Sequence, residues 1–298
     1  MEPNDFDALW DFANPDQTES KFRQLLPPAE QSGDQEYLAQ LLTQLARTLG
    51  LQRHFEEAHT VLDRVESLVA ADYPIARTRY LLERGRTFNS GGDRERAMPL
   101  FSEAWELAQS LRGKAPLADF YAVDAAHMLA IAETGPAVMT WNLKALNYAR
   151  ASDEPKARNW LGSLLNNIAW TYHDQGDYTS AQELFEEALD FRISQNHPAQ
   201  TVQIAKWAVA RGLRSLGQVE AALASQRELL VEVEDAGDQD GFIQEEIGEC
   251  LLLLDQPDNA RSYFDQAFAL LSQDQWLVAN EPARLERLKS LAQNKDER

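Results

Sequence analysis

The chain has 298 residues, 44% of them hydrophobic and 26% charged, with a formal net charge of −20. The hydrophobic share supports a sizeable core and sets wholesale disorder aside, while the charge repels polyanions and argues against nucleic acid or an anionic membrane surface as the main partner. A single cysteine, Cys250, permits no internal disulfide, the opening residues carry acids rather than a basic leader, and no apolar run reaches the length of a membrane span, so a cytoplasmic protein is expected.

In chain order, residues 1–34 read as an N-terminal tail and a capping helix. The tail mixes Phe6, Asp7, Leu9, Trp10, Asp11 and Phe12 ahead of Asn14-Pro15, and residues 16–26 read as a helix ended by Pro27-Pro28. From 35 to 273 the spacing of small residues dominates. Ala58, Ala97, Ala137, Ala181, Ala222 and Ala260 each open the second helix of a pair, at intervals of 39, 40, 44, 41 and 38 residues. In five of the six, another small residue (Ala46, Gly85, Ala169, Ala210, Gly248) stands 12 positions earlier, followed three later by Leu49, Phe88, Tyr172, Leu213 or Leu251. Residues three apart share a helix face, so each couple forms part of one packing stripe. Phe101/Ala104, Phe185/Ala188 and Phe264/Ala267 continue the alternation on the second helix.

Punctuation falls where helices should change. Gly92, Gly176 and Gly217 stand in the turns between paired helices, where a left-handed residue is needed. Pro74, Pro116, Pro155 and Pro198 stand near the start of the next first helix. The middle unit departs: Ala126, Leu129, Gly135 and Ala137 fit only with a hairpin one residue shorter. Residues 274–298 read as a closing helix over 282–293 and a tail.

The run from Asn166 to Tyr178, with Ala181, Phe185 and Ala188, resembles the tetratricopeptide repeat, and the resemblance extends over residues 35–273. It implies an all-α fold, a right-handed superhelical solenoid of about six antiparallel helix pairs with N- and C-terminal capping helices. Intervals near 40 exceed the usual ~34 residues and are similar to the long repeats of kinesin light chains and several bacterial regulators. Leu165-Asn166-Asn167-Ile168-Ala169 is similar to the light-chain type.

Catalysis finds little support. His54, His59, His127, His173 and His197 are scattered and form no i,i+4 pair for a metal, and no phosphate-cradling loop or nucleophile elbow occurs. Cys250 reads as a half-buried structural thiol, and Glu245/Glu246 as a solvated face. A non-enzymatic protein without cofactor or metal is expected.

In the repeat family the residue after each small one faces the concave side. That gives Arg47, Arg86, His127, Trp170, Arg211 and Glu249, a mostly cationic line in an anionic protein. Asn89, His173 and Arg214 follow on the same face, and Glu83, Asp124, Asn166, Asn167, Trp207 and Glu246 precede. The resemblance thus implies an adaptor that holds an extended, acidic peptide of another protein. Arg47, Arg86, Arg211 and Arg214 would supply charge, Asn166 and Asn167 backbone contacts, and Trp170 an apolar anchor, with His127 and His173 as further peptide-binding residues on the same face. The opposing expectation is that Arg86 and Arg211 pair with Glu83, Asp124 and Glu249 and only keep the groove soluble. The alternative function is a bacterial regulatory or sensor protein responding to a small molecule or signalling peptide. Residues 1–15 either cap the first pair or bind intramolecularly in the groove; Leu9-Trp10-Asp11 is similar to acidic tryptophan motifs that kinesin light chains accept, without the acid before Trp.

Overall fold

The computed structural model describes residues 6–69 and 72–293, and among them all regular structure is helical. The first five and last five residues of the expected terminal segments lie outside that description. Two compact units are present, Met1–Leu164 and Leu165–Arg298.

Unit 1 opens on a short 3-10 turn, Asp7–Leu9, and α1 (Pro15–Ser32). Three pairs follow: α2 (Gln35–Leu51) with α3 (Phe55–Leu68), α4 (Pro74–Ser90) with α5 (Arg94–Ser110), and α6 (Ala118–Ala132) with α7 (Pro136–Arg150). A single turn, α8 (Pro155–Arg158), precedes α9 (Leu161–Asp174), which begins in unit 1 and continues in unit 2. Unit 2 pairs α9 with α10 (Tyr178–Ser194), α11 (Ala199–Ser215) with α12 (Val219–Asp235), and α13 (Gly241–Leu253) with α14 (Pro257–Leu271). The short α15 (Gln275–Asn280) leads to α16 (Pro282–Gln293), over the segment expected to close the array.

Three residues separate the helices of every pair. Gly92, Gly176 and Gly217 adopt φ of 89°, 81° and 78°, the left-handed conformation that glycine tolerates without a Cβ clash. Where the sequence offers no glycine, Arg53 and Asp255 take up the same conformation. Asp34, Asp93, Asp177, Asp240 and Asp274 cap the helices that follow them by accepting backbone N–H groups.

The small residues of the first helices are recesses for rings on the second. A Cβ at Gly85 would lie 2.4 Å from the Phe101 ring, and one at Gly248 would lie 2.8 Å from Phe264. Phe185 packs the same way with Ala169. Phe88, three after Gly85, does not share that recess. It is half-buried and packs at a tilt against His59, 4.4 Å between centroids, with the Arg96 guanidinium over its face.

Two expectations are corrected. The middle pair is not shorter, because its turn also has three residues. Its register runs through Val138, 12 after the buried Ala126, and on to buried Asn142, Ala145 and Ala149. Val138 holds the small position and Asn142 the ring position, which hid the register from a search for alanine. Second, α1 does not stop at Pro27-Pro28 but runs through both. The helical bonds they forfeit belong to the carbonyls of Arg23 and Gln24 on the exposed side, where water can accept the role, while Phe22 and Ala29 stay buried.

In α12, Gln226 stands where Phe101, Phe185 and Phe264 stand in other pairs. It is fully buried, its Nε2 donates to the Trp207 carbonyl at 3.4 Å, and its Oε1 meets no donor in the protein.

Candidate binding surfaces

The first helices of unit 1 bring Arg47 (α2), Arg86 (α4) and His127 (α6) onto one face, together with acids from the same helices. Arg47 Nη1 and Arg86 Nη1 both donate to Glu83 Oε1, at 3.1 and 2.5 Å, and Arg86 Nη2 bonds the Asp124 carboxylate. Glu83 and Asp124 are themselves buried. Burial works against the charge on Arg86, but Asp124 and Glu83 outweigh it and hold its pKa above the usual value. His127 lies 5.0 Å from the Trp160 ring and its Nδ1 has no partner. Burial, assisted by Arg86 and opposed by Asp124, lowers its pKa below the ordinary imidazole value.

Residues 6–12 lie against this same face. Phe6 is buried beside Phe22 and Tyr37, with the Arg79 guanidinium 5.1 Å from its ring centre. Asp7 pairs with Lys156 at 2.6 Å. Trp10 donates its indole N–H to Gln44 Oε1 at 2.8 Å and stacks on Phe12 at 4.7 Å. The Arg47 guanidinium sits 5.9 and 5.8 Å from those two rings. A cavity of about 170 Å³ remains between the segment and the helices, lined among others by Arg79, Glu83, Tyr121, Asp124 and Trp160.

Unit 2 gathers the remaining candidates on α9, α11 and α13. Arg211 and Arg214 share a single carboxylate, that of buried Glu246. Arg214 binds it through Nε and Nη2 at 2.7 and 3.0 Å, and Arg211 through Nε at 3.1 Å. Arg211 Nη1 also donates to Ser215 Oγ at 2.5 Å, and His173 Nε2 lies 2.9 Å from the same hydroxyl. Burial lowers the Arg211 pKa despite Glu246, with Arg214 adding repulsion. In Arg214, by contrast, the bidentate bonds to Glu246 overcome burial and raise it. His173 is pushed down by burial and by Arg211.

Asn166, Asn167 and Trp170 are half-buried on α9. Trp170 packs edge-on to Phe185 at 4.9 Å and lies 5.9 Å from Trp207, so much of its surface is already engaged. One turn before Arg211, Trp207 forms part of an apolar cleft of about 350 Å³ with Ile204, Phe242 and Ile243. Ile204 is largely exposed there.

Several sequence expectations are refined by these contacts. Arg86 does pair with Glu83 and Asp124, but Arg211 pairs with Glu246, and Glu249 goes to Arg287. Glu245 and Glu246 are not a solvated face: both are buried against arginines, Glu245 against Arg284 at 2.5 Å. Cys250 is fully buried rather than half-buried, and its thiol is pushed up to about 11 by burial and by Glu246. Lys156, Gln44 and Arg79 were not expected beside the N-terminal segment, because nothing in their own spacing marks a contact with residues so far away. Among the described residues no group of three His, Cys, Asp or Glu is placed to hold a metal, and no helix is long and apolar enough to cross a membrane.

Residues 161–194, the α9–α10 hairpin, match the tetratricopeptide repeat family model. A comparison with curated proteins finds no match. Among solved structures the chain is similar to the apo form of RapI, at 11% identity and TM-score 0.73, covering 99% of this chain and 82% of that one. It is also similar to the apo quorum sensor NprR of B. thuringiensis, at 15% identity and TM-score 0.65, over 96% of this chain and 79% of that one. A third is a Signal Transduction ATPase with Numerous Domains carrying a tetratricopeptide repeat sensor, from Pyrococcus horikoshii, at 14% identity and TM-score 0.69. That match covers 92% of this chain and 41% of the archaeal protein, so this chain spans about two fifths of it. The protein is therefore all-α, with the helical-solenoid fold of tetratricopeptide repeat proteins, and residues 161–194 are one such repeat.

Proposed function

We propose that the protein is a non-catalytic scaffold that holds an acidic segment of another protein on the first-helix faces of its repeats. The observation that carries this reading is the sharing of Glu246 by two guanidiniums, which leaves one positive charge over on a partly buried surface, beside an apolar cleft. A carboxylate brought there relieves the burial penalty on Arg211, and a charge-assisted bond of that kind gains strength from the low-dielectric walls. An apolar side chain next to the carboxylate fits the Trp207 cleft, one helical turn away. Asn166, Asn167, Trp170, His173 and Arg214 are assigned to the same surface, and Arg47, Arg86 and His127 to its counterpart in unit 1, where we take the N-terminal segment to bind intramolecularly.

The fold supports a second reading as a regulator that responds to a signalling peptide. One structural neighbour, at 18% identity and TM-score 0.53, is NprR in complex with its cognate peptide NprX. Both readings use the same surface and differ in the size of the occupant.

The test is fluorescence anisotropy of the full chain against a panel of labelled acidic and basic peptides, repeated with Arg211→Glu and with Arg86→Glu/Arg211→Glu. Acidic peptides should bind in preference, with affinity falling as salt rises, and charge reversal should weaken them by about tenfold or more. Equal binding by the double variant refutes the electrostatic assignment. A thermal shift with short free peptides or small anionic metabolites, absent with longer protein segments, favours the regulator reading.

A further inference from the structure

We infer that residues 6–10 are a displaceable, built-in occupant of a peptide site on the α2–α4–α6 face of unit 1, and that the ligand which displaces them is a partner segment with the same Phe-Asp-x-x-Trp spacing. The inference rests on the unit 1 part of the reading above and does not depend on the Arg211 surface, which belongs to unit 2.

The contacts of residues 6–10 are those of a ligand. Apart from one 3-10 turn the segment is not helical, so helix packing does not account for its position. Three side chains do the holding, and between them they meet α1, α2, α4 and α8. Phe6 is anchored between Tyr37 on α2 and Arg79 on α4, Asp7 reaches Lys156 on α8, and Trp10 bonds Gln44 and faces Arg47 on α2. An aromatic ring against a guanidinium, an acid on a lysine and an indole N–H on an amide oxygen are side-chain recognition contacts.

The face that receives them also has the complementary charge. Arg47, Arg79, Arg86 and Lys156 converge there, against the buried acids Glu83 and Asp124. Those acids are engaged by Arg47 and Arg86, while buried Arg79 donates to the neutral Gln40 amide at 3.0 Å. Removing the segment therefore uncovers a cationic, aromatic-lined surface that an acidic aromatic peptide would suit.

Two features make the occupant exchangeable. The Asp7–Lys156 pair is exposed at both ends, 69% and 39%, and such pairs hold weakly. The cavity of about 170 Å³ beneath the segment shows that its fit is incomplete. The departure point is also defined. Asp11 accepts from the backbone N–H of Ala13 and Asn14 and from the Asn14 side chain, and its own N–H donates to buried Thr18 on α1 at 2.9 Å. Residues from 11 onward are thus tied to α1 by backbone hydrogen bonds, whereas residues 6–10 meet α1 through the Phe22 ring and the Lys21 ammonium on the Leu9 carbonyl, contacts that break when the segment leaves.

The test uses a fluorescein-labelled peptide of residues 4–14 as the probe and the full chain as the receptor. Wild type, with its site occupied in cis, should bind it weakly, and Phe6→Ala/Trp10→Ala should bind it about tenfold more tightly, because apparent affinity scales with the fraction of open sites. Arg47→Glu added to that variant should remove the gain, and a peptide carrying Lys in place of Asp7 should fail to bind. Lys156→Ala loosens the segment without touching the core, so melting at the wild-type temperature while letting binding of an unrelated Phe/Trp peptide that lacks the acid rise by about threefold is its expected behaviour. Equal binding to wild type and both segment-loosening receptors overturns the inference, as does a probe that binds none of them. Because an acidic probe can also engage the Arg211 surface, the receptors are compared in the Arg211→Glu background as well; disappearance there of the gain from Phe6→Ala/Trp10→Ala places the peptide in unit 2 and overturns the assignment to unit 1.

Discussion

The Phe101 ring occupies the volume that a side chain at Gly85 would need, 2.4 Å from where its Cβ would stand, and Phe264 stands in the same relation to Gly248. Alanine at either glycine must push a ring that is fully buried and has no room to move. Overpacking of this kind costs about 1–3 kcal/mol, reduced by the better helix propensity of alanine. Gly85→Ala and Gly248→Ala should each lower the melting temperature. Gly50→Ala, in a helix with nothing within 4 Å of the new methyl, should leave it unchanged or raise it.

Glu246 holds two guanidiniums on α11 from its place on α13, and its side chain is 7% exposed. Glu246→Ala leaves both cations partly buried without their shared counter-charge, at a cost of about 3 kcal/mol. Glu57→Ala, which breaks the exposed pair with Arg23, should cost no more than about 1 kcal/mol. Urea titration of the two variants separates the cases.

His127 and His173 both have pKa values below the ordinary 6.5, chiefly through burial. A base depressed in the folded state binds fewer protons there than in the unfolded chain, so stability falls as pH drops through 6.5 and the loss saturates below the folded pKa. Around His127 the charged groups are Asp124 and Arg86; around His173 they are Asp174, Arg211 and Arg214. Melting temperatures measured from pH 7.5 to 5 should fall less steeply in His127→Gln and His173→Gln than in wild type. A parallel fall removes the histidines from the explanation.

Cys250 is buried with a thiol pKa of about 11. At pH 8 almost none of it is thiolate, and the thiolate is the reactive form. Ellman's reagent should modify the native protein slowly, at a rate set by local opening, and the urea-unfolded protein at once.

Much of the helix architecture was legible because its signals are local. Gly92, Gly176 and Gly217 mark turns through a backbone conformation that other residues adopt at a cost, and Pro282 opens α16 where its missing N–H is harmless. The register of the middle pair was not legible, since Val138 and Asn142 replace the small and aromatic residues that signal it elsewhere. The length of α1 was hidden by Pro27 and Pro28, whose effect depends on which side of the helix faces water. At the candidate sites, the opposite charges at helical spacing announced that Arg86 would meet Glu83. The approach of Asp7 to Lys156 spans most of unit 1 in sequence, and no local pattern encodes it.

Gln226 fills, with a polar amide, the slot that a phenyl ring fills in three other hairpins, and its oxygen meets no donor in the protein. Parting α11 from α12 returns that amide to water, so the seam between them resists opening less than its phenylalanine-sealed counterparts. The helix bearing Arg211 and Arg214 therefore rests against α12 across a seam with an unsatisfied amide oxygen at its centre, while Glu246 holds its other side to α13.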